Sequence, residues 1–384
     1  MSGPAPLRVV VAGTSFGRVY VDAVRSRPDR FTLAGLLTRG GEFSRRYART
    51  LGVPLYTSVA EVPGDVDVAC VVVRSGATGG PGAELAQGLL RRGVHVLQEH
   101  PVHAAEIESC LRAAREGGAA YAVNTLYPYV RPIRRFLAAA AALRRRLPLR
   151  FIDAACNSQV AYPLLDVLGR AAGRLRPWSF GAPQPVDAEL SALATVRQPF
   201  ESLHAVIGGV PVTLRVQNQV HPDDPDNHSL LLHRISIGAE GGVLTLADTH
   251  GPVLWNPRMH APRDETGRLI MDGPGTDRLG VPSTVILGED RMWTYHQVFA
   301  ELWPEAVAAA LCDLARDIER PSRRARAGQW ALGVARAWHD LTARIGLPEL
   351  ITPDEPEPVP TAELAAAAHA AHPAHAAHAT CDPR

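Results

Sequence analysis

A chain of 384 residues is long enough for two domains of ordinary size. Its 40 basic residues nearly cancel its 39 acidic ones and no long block of like charge occurs, so nothing points to a nucleic-acid or membrane-surface partner. No apolar run approaches the roughly 18 residues that a membrane-crossing helix needs.

Five cysteines (Cys70, Cys110, Cys156, Cys312 and Cys381) are widely scattered without a CxxC pair. Neither a disulfide framework nor a metal site is expected from them. The first six residues lack the charged-then-apolar design of a secretory leader, so a cytoplasmic protein is expected.

Residues 7–12 are aliphatic apart from Arg8, and the turn Gly13-Thr14-Ser15-Phe16-Gly17 follows before a helical pattern over 18–26. Strand, glycine turn and helix in that order set free helix N–H groups against a phosphate. The usual dinucleotide fingerprint is G-x-G-x-x-G. Here Ser15 stands at the second glycine position and the loop is one residue shorter. A second strand is predicted over 31–37, and an NAD site would place an acid near its end to hold a ribose hydroxyl. Thr38, Arg39, Ser44 and Arg45 stand there instead. Hydroxyls and guanidinium groups suit a 2′-phosphate, so NADP(H) is expected over NAD(H).

Residues 67–74 read as a strand buried on both faces. The Gly-rich loop after it begins at Arg74 and Ser75, placing both on the cofactor side. A helix over 83–92 leads into Val94-His95-Val96-Leu97-Gln98-Glu99-His100-Pro101, an apolar strand that ends in a polar turn. Proline biases His100 toward an extended or turn backbone. Ligands of open α/β sheets bind outside the carboxyl ends of the strands. Glu99 and His100 therefore stand at the edge where a cofactor and its substrate would meet. A helix over 105–117 and a strand over 120–124 complete an alternation that predicts a Rossmann-type, doubly wound parallel sheet across residues 1–124.

Beyond Tyr127 the alternation stops. Helical patterns over 131–146 and 160–175, the latter carrying Asp166, flank a strand over 150–157. Period-two segments at 210–220, 230–237 and 241–246 predict a mostly antiparallel sheet with one open face, and helices return at 304–318 and 328–345. Residues 125–350 thus form an α+β domain for substrate binding and dimerisation, since a large open apolar face is seldom left uncovered. A homodimer is expected. The tail from 353 to 384, Pro- and Ala-rich with spaced histidines, is expected to be disordered because it has little to bury.

The glycine turn, the Glu99-His100-Pro101 turn and an Asp in the first helix of an α+β domain resemble the glucose–fructose oxidoreductase/inositol dehydrogenase (Gfo/Idh/MocA) family. Members carry Glu-Lys-Pro at that turn, and an Asp followed four residues later by His. Here His100 replaces the lysine and Arg170 stands where that His would be. The segments VVAGTSFGRVYVDAV, GVPLYTS, DVACVVVRSGATGG, RRGVHVLQEHPVH and VNTLYPYVR closely resemble one branch, the thiazolinyl imine reductases of pyochelin- and yersiniabactin-type siderophore assembly. The resemblance implies NADPH-dependent reduction of a thiazoline C=N bond on a substrate tethered as a thioester to a nonribosomal carrier protein. It also implies that His100 and Tyr127 lie nearest the imine. Asp166 is the third catalytic candidate, read either as orienting a donor or the substrate or as only capping or pairing within its helix.

Hydride arriving at an imine carbon leaves nitrogen needing a proton from a donor within about 2.6–3.2 Å, directly or through one water. An imidazole, with an ordinary pKa of about 6.5, can supply it near neutrality, whereas a phenol near about 10 is a weaker acid. Two other activities remain compatible with the sequence: a sugar or cyclitol dehydrogenase, and a non-catalytic NADP-binding regulator.

Overall fold

The computed structural model describes residues 5–73, 79–224, 227–288 and 291–370. Its first sheet is built from β1 (Leu7–Ala12), β2 (Phe31–Leu37), β3 (Leu55–Tyr56), β4 (Val68–Val71), β5 (His95–Glu99) and β6 (Tyr121–Asn124). All pairs are parallel, in the order β3-β2-β1-β4-β5-β6. Helices α1 (Gly17–Arg25), α2 (Glu42–Leu51), α3 (Pro81–Arg91) and α4 (Ala104–Glu116) make the crossovers. Val9, Val10, Val11, Ala69, Cys70 and Val71 are fully buried, the pattern of strands covered on both faces. The strand order reverses between β1 and β4, which opens a crevice at their carboxyl ends.

The second sheet is eight-stranded. After α5 (Arg131–Arg146) come β7 (Leu149–Asn157), α6 (Ala161–Ala172), β8 (Trp178–Phe180), α7 (Ala188–Leu193), β9 (Glu201–Ile207) and β10 (Val210–Gln217). They are followed by β11 (His233–Ala239), β12 (Gly242–Leu246), β13 (Val253–Pro257) and β14 (Val285–Ile286). The order is β14-β13-β12-β11-β7-β10-β9-β8, and only β7 with β10 is parallel. Gly208 and Gly209, both at positive φ, make the tight β9–β10 turn. Alternation sends Ile152, Leu214, Ile235 and Ile237 into the core, each contributing about 1.5–3 kcal/mol of burial. Phe151 and Val206 are exposed on the open side.

Two long helices close the chain's main body, α8 (Trp303–Glu319) and α9 (Pro321–Ile345). α8 packs on α1 of the first part, whereas α9 packs on α4 and β6 of the first part and also on α6 and β8 of the second. Among the described residues, 220–224, 227–228 and 350–370 form a separate small unit. Within the tail expected to be disordered, Thr361–Ala370 (α10) is helical although none of its residues is buried. Its alanines explain that, having the highest intrinsic helix propensity. Cys70, Cys110 and Cys156 are buried, and burial pushes their thiols up, Cys110 to about 12. No described helix is long and apolar enough to cross a membrane.

Candidate active site

The site begins where β5 and β6 end. Glu99 and Asn124 are partners in strand register, and each is the last residue of its strand. Asn124 is fully buried and acts as a hub. Its amide donates to Tyr20 Oη (2.6 Å) and Glu99 Oε2 (3.4 Å), its Oδ1 accepts the Leu126 N–H (2.9 Å), and its carbonyl accepts the His100 N–H (3.0 Å). The Tyr20 hydroxyl also donates to Glu99 Oε2. Burial first, and then the Glu99 charge, push the Tyr20 phenol up, so it stays a donor.

His100 stands above this hub with its side chain 11% exposed. Its Nδ1 lies 2.9 Å from Glu99 Oε1 and 3.2 Å from the Asn124 carbonyl oxygen. Both neighbours are acceptors, so Nδ1 carries the proton and Nε2 is left for a ligand. The ring stacks on Tyr162 (centroids 5.9 Å) and meets Tyr127 edge-on (6.3 Å).

Tyr127 reaches this position through a sharp bend. Leu126 is the one non-glycine residue at positive φ among the described residues (φ 59°, ψ −61°), and the Tyr127 N–H bonds the Thr125 carbonyl at 2.6 Å. Together these make a γ-turn of the rare, strained kind. Two side chains hold it: Asn124 on the Leu126 N–H, and Asp166 on the Thr125 hydroxyl (2.5 Å). Asp166 is 2% exposed, and its other oxygen accepts from Arg170 Nε (2.6 Å) and Trp330 Nε1 (2.7 Å). Asp166, a catalytic candidate from sequence, thus has both oxygens engaged within the protein. Arg170, standing where the family has His, is its ion-pair partner.

Sequence reasoning missed the wall behind Tyr127. His233 is fully buried, with its ring 4.6 Å from that of Tyr127 and nearly perpendicular to it. Its Nε2 is 3.0 Å from the Val160 carbonyl oxygen and its Nδ1 3.1 Å from Thr249 Oγ1. Burial lowers this imidazole to about 4, so it stays neutral near pH 7. Its place at the inward parity of an alternating strand was the available signal. Tyr162, one helical turn before Asp166, was also missed.

The cofactor-side residues gather at the carboxyl ends of β1 and β2. Gly13 adopts φ +101°, where a Cβ would collide with the Val72 carbonyl oxygen. No side chain caps α1 and its first turn holds no acid, so its N-terminus is open to an anion. Thr14 Oγ1 and Ser44 Oγ are 2.8 Å apart, which ties the first turn to the start of α2. Arg39 and Arg45 are exposed beside it, and Thr38 Oγ1 accepts the Gly40 N–H. Ser15 is exposed, Gly17 is packed on Val11, and the Phe16 ring lies 5.6 Å from Trp303 and 6.3 Å from Tyr20. These groups fit a dinucleotide pyrophosphate and its ribose end. Glu99, read as cofactor-binding, instead spends both oxygens on His100, Tyr20 and Asn124. Arg74 and Ser75 lie outside the described residues. His103 starts α4, its N–H bonded to Glu106, with its ring against Trp338.

Comparison with known proteins agrees with this geometry. Residues 7–125, the parallel sheet, match the model of the Gfo/Idh/MocA oxidoreductase family, NAD-binding Rossmann fold. Residues 149–256, from β7 to β13, match the thiazolinyl imine reductase Irp3-like C-terminal domain. No functionally curated protein sequence gives a significant match.

Among solved structures, a variant of KijD10, a 3-ketoreductase from Actinomadura kijaniata in complex with TDP-benzene and NADP, superposes with TM-score 0.60 at 17% identity. That match covers 91% of this chain and all of the other. An inositol dehydrogenase homologue from Azotobacter vinelandii, with NADH and myo-inositol, gives 0.59 at 14%, over 87% and 94% of the two chains. GenD2 from gentamicin A biosynthesis, in complex with NAD, gives 0.59 at 13%, over 88% and 93%. At these identities the likeness is one of fold, a parallel Rossmann sheet followed by a mostly antiparallel one. Matched in chain order, the two family models support a Gfo/Idh/MocA oxidoreductase of the Irp3-like branch.

Proposed function

We propose that this chain uses NADPH to reduce the C=N bond of a thiazoline to a thiazolidine, on an intermediate held as a thioester by a carrier protein of siderophore-type nonribosomal peptide assembly. The observation that carries the reading is the imidazole–phenol pair, His100 and Tyr127, at the carboxyl edge of the dinucleotide sheet. The match of residues 149–256 to the thiazolinyl imine reductase domain supports it. The residues that directly follow β2, Thr38 and Arg39, are not acidic, and with Arg45 beside Ser44 they support the phosphorylated cofactor.

The dihydronicotinamide, when bound, supplies hydride to the imine carbon. The protein's part is to deliver a proton to nitrogen and hold the geometry. His100 keeps its Nδ1 proton on Glu99 and the Asn124 carbonyl throughout, so the ring need not turn when Nε2 gives up its own. Tyr127 is the second member of this donor system, directly or through one water. The γ-turn at Leu126 and the neutral His233 ring fix its direction. Neither Asp166 nor His233 takes part in the transfer itself.

The test is reduction of a thioester-mimic thiazoline, followed by loss of NADPH absorbance. His100→Ala and Tyr127→Phe are each expected to slow turnover by more than about tenfold, the size of a general acid's contribution. Oxidation of sugars or cyclitols without imine reduction, or binding without turnover, would overturn the reading. For the assembly, a second copy covering the open sheet face around Phe151 and Val206 would give a homodimer, and light scattering showing a monomer would refute that.

A further inference from the structure

The residues around the site form a closed circuit of contacts. Phe16 touches Tyr20, Tyr20 bonds Glu99, Glu99 bonds His100, and His100 meets Tyr127. Tyr127 meets His233 and His233 bonds Thr249. The next residue, His250, meets Trp303 (centroids 6.3 Å), and Trp303 returns to Phe16. Two polar atoms in this circuit have no use in the chemistry above.

They belong to His250 and Trp303. The turn between β12 and β13 is closed by the Gly251 N–H on the Asp248 carbonyl (2.9 Å) and the Ala247 N–H on that of Pro252 (3.0 Å). That closure puts Thr249 on His233 and sets the His250 ring beside Trp303, which in turn meets Phe16 of the glycine turn. The His250 side chain is only 10% exposed, with Nδ1 3.5 Å from Asp248 Oδ2. Its Nε2 and the Trp303 indole N–H are both buried, and neither has a hydrogen-bond partner among the described residues. Leaving such an atom unsatisfied costs about 1–3 kcal/mol, and native proteins keep very few. Two together, beside a reaction site, mark a place where a ligand completes the bonding.

We propose that His250 and Trp303 form a subsite for the acyl oxygen of the substrate, the carbonyl or carboxylate oxygen borne by the ring that is reduced. This rests on the imine reductase reading. An indole N–H can only donate, so the group it meets must be an acceptor. The His250 Nε2 donates to that same acceptor when a proton sits on that nitrogen. An acyl oxygen meets both requirements, and a thiazoline built on a carrier-tethered intermediate bears one next to its ring. The subsite thus sets which end of the ring faces the His100–Tyr127 pair.

The experiment is calorimetric titration of the NADP-loaded protein with three probes: a thiazoline bearing an N-acetylcysteamine thioester, the same ring as its free carboxylate, and the ring with no acyl group. In the wild type the better acyl probe is expected to bind at least about tenfold tighter than the bare ring, and His250→Phe or Trp303→Phe to shrink that ratio about tenfold. His250→Gln, which keeps an amide N–H near Nε2, should retain most of the preference. Whichever of thioester and carboxylate binds better identifies the acceptor.

An unchanged ratio in both phenylalanine variants would overturn the subsite. So would a parallel fall in NADP affinity, which would assign the two donors to the cofactor's carboxamide. Tight acyl-selective binding without turnover would sink the imine reductase reading alone, whereas turnover with no acyl preference would sink the subsite alone. Should one variant fail to fold, the other carries the test.

Discussion

His233 offers the most quantitative check on this architecture. Its ring is fully buried behind Tyr127, and burial lowers it from the usual 6.5 to about 4. In the unfolded chain it takes a proton as pH falls through about 6.5, whereas the folded chain resists until about 4. Folded stability therefore declines as pH drops across that window and is insensitive to this group above it. At about pH 5 the gap is roughly 1.5 pH units, or about 2 kcal/mol.

His233→Gln removes the titrating ring while offering an amide to the Val160 carbonyl and Thr249. It is expected to cost about 1–3 kcal/mol at neutral pH for imperfect bonding and lost packing. Urea unfolding followed by tryptophan fluorescence at about pH 7.5 and about pH 5 supplies the comparison. All other titrating groups are common to both proteins, so the wild type should lose about 2 kcal/mol more than the variant between the two conditions. Equal losses would mean that the ring is already charged or solvated in the folded state. The neutral wall behind Tyr127 would then be wrong.

Replacing Asp166 with Ala should strand Arg170, Trp330 and the Thr125 hydroxyl, destabilising the protein by about 3 kcal/mol in thermal unfolding. Asp166→Asn should recover part of that and part of kcat, with little change in KM, because its effect reaches the substrate through the Leu126 bend. Arg39→Ala combined with Arg45→Ala should raise KM for NADPH at least about tenfold while leaving NADH nearly unaffected, measured by steady-state kinetics. Gly13→Ala forces a Cβ against the Val72 carbonyl at a φ that suits glycine, and should cost about 2 kcal/mol or more along with dinucleotide binding in a fluorescence titration.

Much of the framework was legible because it rests on local pattern. The bounds of β1, β2 and α5 are those read from apolar runs and helical spacing. Less regular pieces escaped. β9, β13 and β14 were not anticipated, and α9 begins at Pro321 rather than near 328, since its Arg-rich first turns show no apolar stripe and the proline at its start is the better marker.

The site divides the same way. His100 and Tyr127 were legible because each follows a strand end at a motif. Asn124, Tyr162, His233, His250 and Trp303 were not, since each acquires its meaning from partners far away along the chain. The oxygens of Asp166 and Glu99 are engaged by neighbours that no spacing rule predicts.

The return of α8 to the first domain bears on how the protein comes to life during synthesis. A ribosome that has released everything up to residue 300 has delivered both sheets, yet the wall supplied by Trp303 is still inside the exit tunnel. Activity would thus arrive abruptly and late, and a premature stop just ahead of that helix would yield a product with two intact sheets and nothing to close them around a substrate.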